Sequence, residues 1–292
     1  MIHVMALTVT RPETVHAFLD AAGGYLGERE AEHNLLFGIS STIRTTPDIF
    51  GDEPPRFAVV ADDRGIIKAA TLQTPPYNLV LSMIDDEAVV DALAEALRND
   101  EIPGVLGPKG PVQRFAAQWT SATGRIAQIE HAERIYGLER VIPPRRPAEG
   151  AWRVVEERDR DILARWLVDF RQEAAPESPP INDPGATAGR WIAAVNRTGY
   201  LWEDEGQVVS MVGAGGETPN GVRIGPVYTP PEWRGRGYAS SLTAAATQDQ
   251  LNRGRRFVFL FTDLANPTSN RIYQALGYEP VCDVDQYLFA DA

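Results

Sequence analysis

The chain carries the same succession of elements twice, and that repeat limits the folds open to it more than any other feature. Val60–Asn78, "VADDRGIIKAATLQTPPYN", and Trp202–Asn220, "WEDEGQVVSMVGAGGETPN", both run strand, acidic turn with glycine, second strand, Pro-Asn turn. The first copy continues with an extended run "LVLSMI", a helix in "DEAVVDALAEALRND", a buried strand "IPGVLG" and a helix in "PVQRFAAQWTSATG". The second continues with "VRIGPVY", "YASSLTAAATQDQLNRG", "RFVFLFTD" and "TSNRIYQALGYEP". The correspondence lies in order and length more than in identity. Strands that alternate with helices, one of them ("RFVFLFT") apolar throughout and hence of buried parallel type, predict an α/β chain with a mixed sheet. The Pro-rich, charged and aperiodic stretch "PPRRPAEG" (Pro143–Gly150) predicts a linker, giving domains at 1–145 and 151–292.

The second domain opens on a strand, "WRVVEE". A helix over Asp159–Glu173 follows, with Ile162, Leu163, Trp166, Leu167 and Phe170 on one face at three- and four-residue spacing. Ala175–Gly189, "APESPPINDPGATAG", reads as a loop without regular structure, and "RWIAAVN" as a short helix.

Two stretches of this domain carry chemistry. In "VYTPPEWRGRGYASS", Pro230 and Pro231 end the strand because neither can donate a ladder hydrogen bond. Gly235 and Gly237 admit backbone angles closed to other residues, and a helix begins near Tyr238. Main-chain amides from Gly235 to Ser240 then converge at a helix N-terminus, a favourable seat for phosphate, and Arg234 and Arg236 add charge. The alternative is a glycine-rich turn with two solvated arginines. In "TDLANPTSNRIYQALGYEP" a helix starting between Pro267 and Asn270, with Gly277 as its C-terminal cap, would put Asn266, Asn270 and Tyr273 on one face. Ile272, Ala275 and Leu276 would pack on the sheet. Taken alone, Asn266 reads equally as a helix cap and Tyr273 as a core aromatic.

Together these stretches resemble the GNAT superfamily of N-acetyltransferases. Its cofactor motif (Arg or Gln, two residues, Gly, one residue, Gly or Ala) is met by Arg234, Gly237 and Ala239, and its later Asn-rich turn with "Y…LGY" by "NPTSNRIYQALGYEP". The resemblance covers about half the chain; the first half looks like a degraded copy. It implies tandem GNAT-like domains with a splayed parallel strand pair, and acetyl-CoA as cosubstrate in the gap. The backbone of Val227, Tyr228 and Thr229 would pair with the pantetheine. The stretch Arg234, Gly235, Arg236, Gly237, Tyr238, Ala239, Ser240 would hold the diphosphate, Asn266 and Asn270 would lie near the pantetheine, and Tyr273 would stand beside the sulfur as general acid. The expected reaction is direct attack of a primary amine on the thioester. The base is less evident: the second half has neither histidine nor lysine, and Glu173, Asp183, Glu217 and Asp263 are the candidates, Glu173 first. A non-catalytic acyl-CoA-binding or regulatory protein is the alternative. In the first copy, Asp85, Asp86 and Glu87 stand where a phosphate loop belongs and no glycine pair is present, so that half is expected to cover the catalytic domain, shape the acceptor cleft or supply a homodimer surface.

Composition trims the partner classes. A net charge of −12 argues against nucleic acid and anionic membranes. No apolar run reaches the ~18–20 residues that span a bilayer, and "MIHVMALTVTRPETV" lacks the pattern of a signal peptide. One cysteine, Cys282, permits no internal disulfide, which fits a cytoplasmic protein. His3, His16, His33 and His131 show no metal-ligand spacing, and no metal is expected.

Overall fold

The structure, a computed structural model, describes residues 6–51, 53–174 and 180–291. The order of elements repeats in full. The first series is β1 (Thr8–Thr10), α1 (Val15–Glu28), α2 (Asn34–Thr45), β2 (Arg56–Ala61), β3 (Ile67–Gln73), β4 (Leu79–Leu81), α3 (Glu87–Ala96), β5 (Gly104–Pro108), α4 (Lys109–Thr123) and β6 (Ile126–Leu138). The second is β7 (Ala151–Val154), α5 (Arg160–Ala174), α6 (Pro184–Ile192), β8 (Arg197–Asp204), β9 (Gln207–Gly215), β10 (Gly221–Tyr228), α7 (Tyr238–Asn252), β11 (Phe257–Asp263), α8 (Pro267–Ala275) and β12 (Glu279–Ala290).

The described residues pack as two compact units. The first runs to Ile135 and includes Thr262–Asn266 and the residues from Pro280 onward. Within it β1, β2, β3 and β4 are antiparallel neighbours, β4 and β5 are parallel, and β12 lies antiparallel to β5 from Val284↔Pro108 to Leu288↔Gly104. Phe289 stacks on Trp119 of α4, ring centres 4.5 Å apart, in a core with Val89, Leu93 and Phe115.

The second unit comprises Tyr136–Phe261 and Pro267–Glu279. Strands β7, β8, β9 and β10 are antiparallel neighbours, and β10 and β11 are parallel. Alternation along the strands divides the core into two faces. Tyr200 and Val212 pack with Leu242, Ala246 and Leu276 on the side of α7 and α8; Leu201 and Met211 pack with Leu163, Trp166 and Trp191 on the side of α5 and α6. The amphipathic stripe of α5 behaves as its spacing predicts, with Leu163, Trp166 and Leu167 buried and Ile162 and Phe170 partly so.

The stretch 175–189 departs from the sequence expectation. Residues 175–179 lie outside the described residues, but helix already begins at Pro184 and ends at Ile192, well before the end of "RWIAAVN". Asp183 caps it, accepting the Ala186 amide at 2.8 Å, and Pro184 occupies a first-turn position where no N–H is needed. Ala194 and Asn196 take positive φ and stop it.

Candidate cofactor and acyl-transfer site

Strand β10 decides the geometry. Its ladder with β11 runs from Gly221↔Phe257 to Arg223↔Phe259 and no further among the described residues. Between Ile224 and Val227 its register with β9 slips by one residue, a bulge that bends the strand away. From there Val227 and Tyr228 keep β9 on one edge and leave the other toward the gap. Val227, Tyr228 and Thr229 thus stand along an opening between two parallel strands. The parallel pair of the first unit does not part this way: a Cβ placed on Gly107 of β5 would stand 2.7 Å from the Leu81 oxygen of β4.

The chain leaves β10 through Pro230 and Pro231 and reaches α7 through Gly235 (φ 77°) and Gly237 (φ 84°). Gly237 is the N-cap and offers no side chain to the helix. The amides of Gly235, Arg236, Gly237, Tyr238, Ala239 and Ser240 donate to no acceptor among the described residues, so six N–H groups gather at a helix N-terminus. The matching end of α3 is different. Asp86 caps it, accepting the Ala88 amide at 2.9 Å, and Asp85 pairs with Arg29 at 2.8 Å. At this helix end a protein carboxylate already accepts from a first-turn amide.

The two arginines of the loop turn away from these amides. Arg234 donates to the Thr229 carbonyl at 2.8 Å and pairs with Glu173 of α5 at 2.6 Å, with both side chains half exposed. Its guanidinium lies 6.0 Å from the Tyr228 ring, and the Tyr228 hydroxyl stands 3.5 Å from Glu173. Arg236 lies 5.0 Å over Trp233, and the Tyr238 hydroxyl donates to Asp204. Arg234 therefore ties loop, strand and α5 together, and the donors left at this helix end are backbone amides. The linker contributes too: a Cβ on Gly237 would meet the Arg146 oxygen at 3.7 Å, and the Ala148 amide donates to Ser241 Oγ at 2.9 Å. Nothing in the sequence of "PPRRPAEG" marked it as a neighbour of this helix.

Helix α8 starts at Pro267, with Asn266 immediately before it. Asn270 accepts from the Tyr136 hydroxyl at 3.2 Å. Leu276 is buried and Ile272 half-buried, whereas Ala275, expected on the packed face, is exposed because the helix ends there. Gly277 (φ 96°) closes it: its amide donates to Gln274 at 3.1 Å and the Tyr278 amide to Tyr273 at 3.1 Å, the paired bonds of a Schellman cap. Tyr273 is buried, burial pushes its phenol up to about 12, and its hydroxyl makes no hydrogen bond among the described residues.

The other candidate bases have structural partners. Asp183 caps α6, Glu217 pairs with Arg255, and Asp263 accepts the Ala265 amide at 2.7 Å. Among the described residues no group of His, Cys, Asp and Glu is placed to hold a metal ion, and no helix is long and apolar enough to cross a membrane.

A mixed sheet whose parallel pair parts at a bulge, facing a glycine-bent helix N-terminus, defines an acetyltransferase fold. Residues 161–278 match the model of the Acetyltransferase (GNAT) family, a family that takes acetyl-CoA as acyl donor. The chain matches no curated protein sequence. Solved structures share the fold over its whole length. A Drosophila protein superposes with TM-score 0.65 at 14% identity, covering 95% of this chain and 96% of its own. A GNAT N-acetyltransferase from Sphaerobacter thermophilus gives 0.55 at 17%, covering 96% and 94%. A tandem GNAT protein from the clavulanic acid biosynthesis pathway gives 0.52 at 15%, covering 97% of each chain. At these identities the likeness concerns the fold alone.

Proposed function

We propose that the chain transfers the acetyl group of acetyl-CoA to a primary amine by direct attack, with the chemistry in residues 151–292 and no cofactor held by residues 1–145. The observation that carries this is the pairing of an opened β10 edge with an uncapped, glycine-started α7 in one unit. The amides of Gly235–Ser240 hold the diphosphate, and the β10 edge along Val227–Thr229, apart from the Thr229 carbonyl that Arg234 occupies, takes the pantetheine as an added strand. The reactive end then lies toward the bulge. An amide of β10 near Tyr228 stabilises the oxyanion as the amine nitrogen bonds to the thioester carbon. The carbon–sulfur bond breaks, and the sulfur takes up a proton. Tyr273, whose phenol burial pushes up to about 12, supplies it or hydrogen-bonds the thiolate. Glu173 accepts the proton of the amine. The acetyltransferase is read as cytoplasmic and metal-free.

One observation favours a second reading, a non-catalytic acyl-CoA-binding protein: Glu173, the one candidate base near Tyr228, is engaged by Arg234 at 2.6 Å. Thiol release from acetyl-CoA with a panel of amines separates the two. Amine-dependent release supports the enzyme; tight CoA binding without release with any amine supports the binding protein.

A further inference from the structure

Among the cations of the second unit that the mechanism leaves unused, Arg197 stands apart. Arg197 opens β8 on the face covered by α5 and α6, and it is half-buried. Its guanidinium lies 5.3 Å from the centre of the Trp191 ring and gives one N–H to the carbonyl oxygen of Gly225. The sheet is thinned to seat it. A Cβ on Gly213 would stand 2.6 Å from Trp191, 3.0 Å from Arg197 Nη1 and 3.0 Å from the Gly225 oxygen. A Cβ on Gly199, directly across on β8, would stand 2.9 Å from Trp191. Glycine at both positions makes room for an indole and a guanidinium side by side, which neither strand needs for its own stability.

No carboxylate pairs with Arg197 among the described residues. The charge it feels is that of Arg223, which is alike in sign. Burial, and after it Arg223, push the guanidinium well below its usual range. Interiors keep a cation without an acid partner only at such a cost, and the remaining N–H donors of Arg197 are suited to a planar anion.

Position gives the anion its role. Gly225 lies inside the bulge, between Ile224 and Val227, where β10 leaves β11. With diphosphate at Gly235–Ser240 and pantetheine along Val227–Thr229, the acetyl group ends beside this bulge. We propose that Arg197 anchors a carboxylate on the amine acceptor, so that the substrate is an amino acid or another amine carrying a carboxylate. This rests on the acetyltransferase reading above. The amine end then reaches the thioester while the acid end is held by Arg197, with Trp191 beneath the guanidinium fixing its plane.

The test pairs amino acids (glycine, β-alanine, γ-aminobutyrate, glutamate) with their carboxamides. CoA release is measured for the natural chain, Arg197→Gln and Arg197→Lys. The natural chain is expected to favour at least one acid over its amide in kcat/KM by about tenfold or more. Arg197→Gln is expected to abolish that preference through KM for the acid, with KM for acetyl-CoA unchanged, and Arg197→Lys to restore part of it. Equal use of acids and amides by the natural chain, or an equal loss for both series in Arg197→Gln, overturns the proposal and leaves Arg197 as a brace of the bulge. Calorimetric binding of the same acids and amides to the CoA-loaded protein keeps the two readings apart. Absent turnover then counts against the enzyme, whereas a saturable preference for acids, lost in Arg197→Gln, still supports the anchor, and its absence overturns it.

Discussion

The Tyr278 amide donates to the Tyr273 carbonyl oxygen at 3.1 Å, across the end of α8, and the two rings meet edge to face with centres 6.0 Å apart. The bond that ends the helix thus also fixes the ring proposed to face the sulfur. Tyr278 is itself held, its hydroxyl 2.6 Å from Thr247 of α7.

Tyr273→Phe keeps that ring and its cap and removes only the hydroxyl. It is expected to lower kcat at least about tenfold with little change in acetyl-CoA affinity. Steady-state rates together with CoA titration check this. Because burial pushes the phenol up to about 12, the natural chain should show no loss of rate from Tyr273 deprotonation across neutral and mildly alkaline pH. Unchanged turnover in Tyr273→Phe removes its role as acid.

Gly237→Ala forces a Cβ onto a residue at φ 84° that is both N-cap of α7 and part of the amide cluster. The expected cost is about 1–2 kcal/mol of stability, read from urea unfolding, with weaker CoA binding by calorimetry. Gly254→Ala, at φ 94° beyond the other end of the same helix, should cost similar stability and leave CoA binding alone.

Glu173→Gln removes the carboxylate shared by Arg234 and Tyr228 while keeping a hydrogen-bonding side chain. As the base, it should lower kcat by about a hundredfold at neutral pH and less at alkaline pH, where the amine arrives neutral. Thermal stability should change little, since exposed pairs contribute ~0.2–1 kcal/mol. A pH–rate profile that shifts in parallel at all pH values would count against it.

His33 predicts a pH dependence of the first unit. It is buried, Nδ1 donating to the Leu26 oxygen at 2.8 Å and Nε2 accepting the Met83 amide at 2.9 Å, so the ring is neutral. Burial lowers its pKa below the ordinary 6.5. The unfolded chain therefore binds the proton first, and the stability held by neutral His33 is complete above 6.5 and lost as pH falls through that value toward the folded pKa. Urea unfolding at pH 7.5 and 5.5 should show the loss, and His33→Gln should flatten it.

The local backbone of the candidate site was legible because it depends on constraints that particular residues announce. Gly235 and Gly237 stand at positive φ, and Gly277 closes α8, each where glycine is needed. Tyr238 starts α7 as the preceding turn implied. The start of α6 was hidden, since Pro184, Gly185 and Ala186 suggest a loop until Asp183 is seen as a cap. Arg197 was missed because a lone arginine at the head of a strand gives no sign of burial; Gly199 and Gly213, glycines within strands, were the available hint of a close neighbour. The engagement of Glu173 by Arg234 spans helix and loop, and no local pattern encodes it. Nor does any local pattern reveal that β12 seeks β5.

That last pairing bears on biosynthesis. Strand β5 emerges from the ribosome long before Val284–Leu288, and its edge waits while residues 109–283 are translated, on the order of ten seconds or more. Through that interval a nascent chain presents unpaired backbone groups that another polypeptide could capture. The leading half thus completes its sheet only when the trailing strand arrives, and a fragment cut at the linker would leave that edge of β5 open.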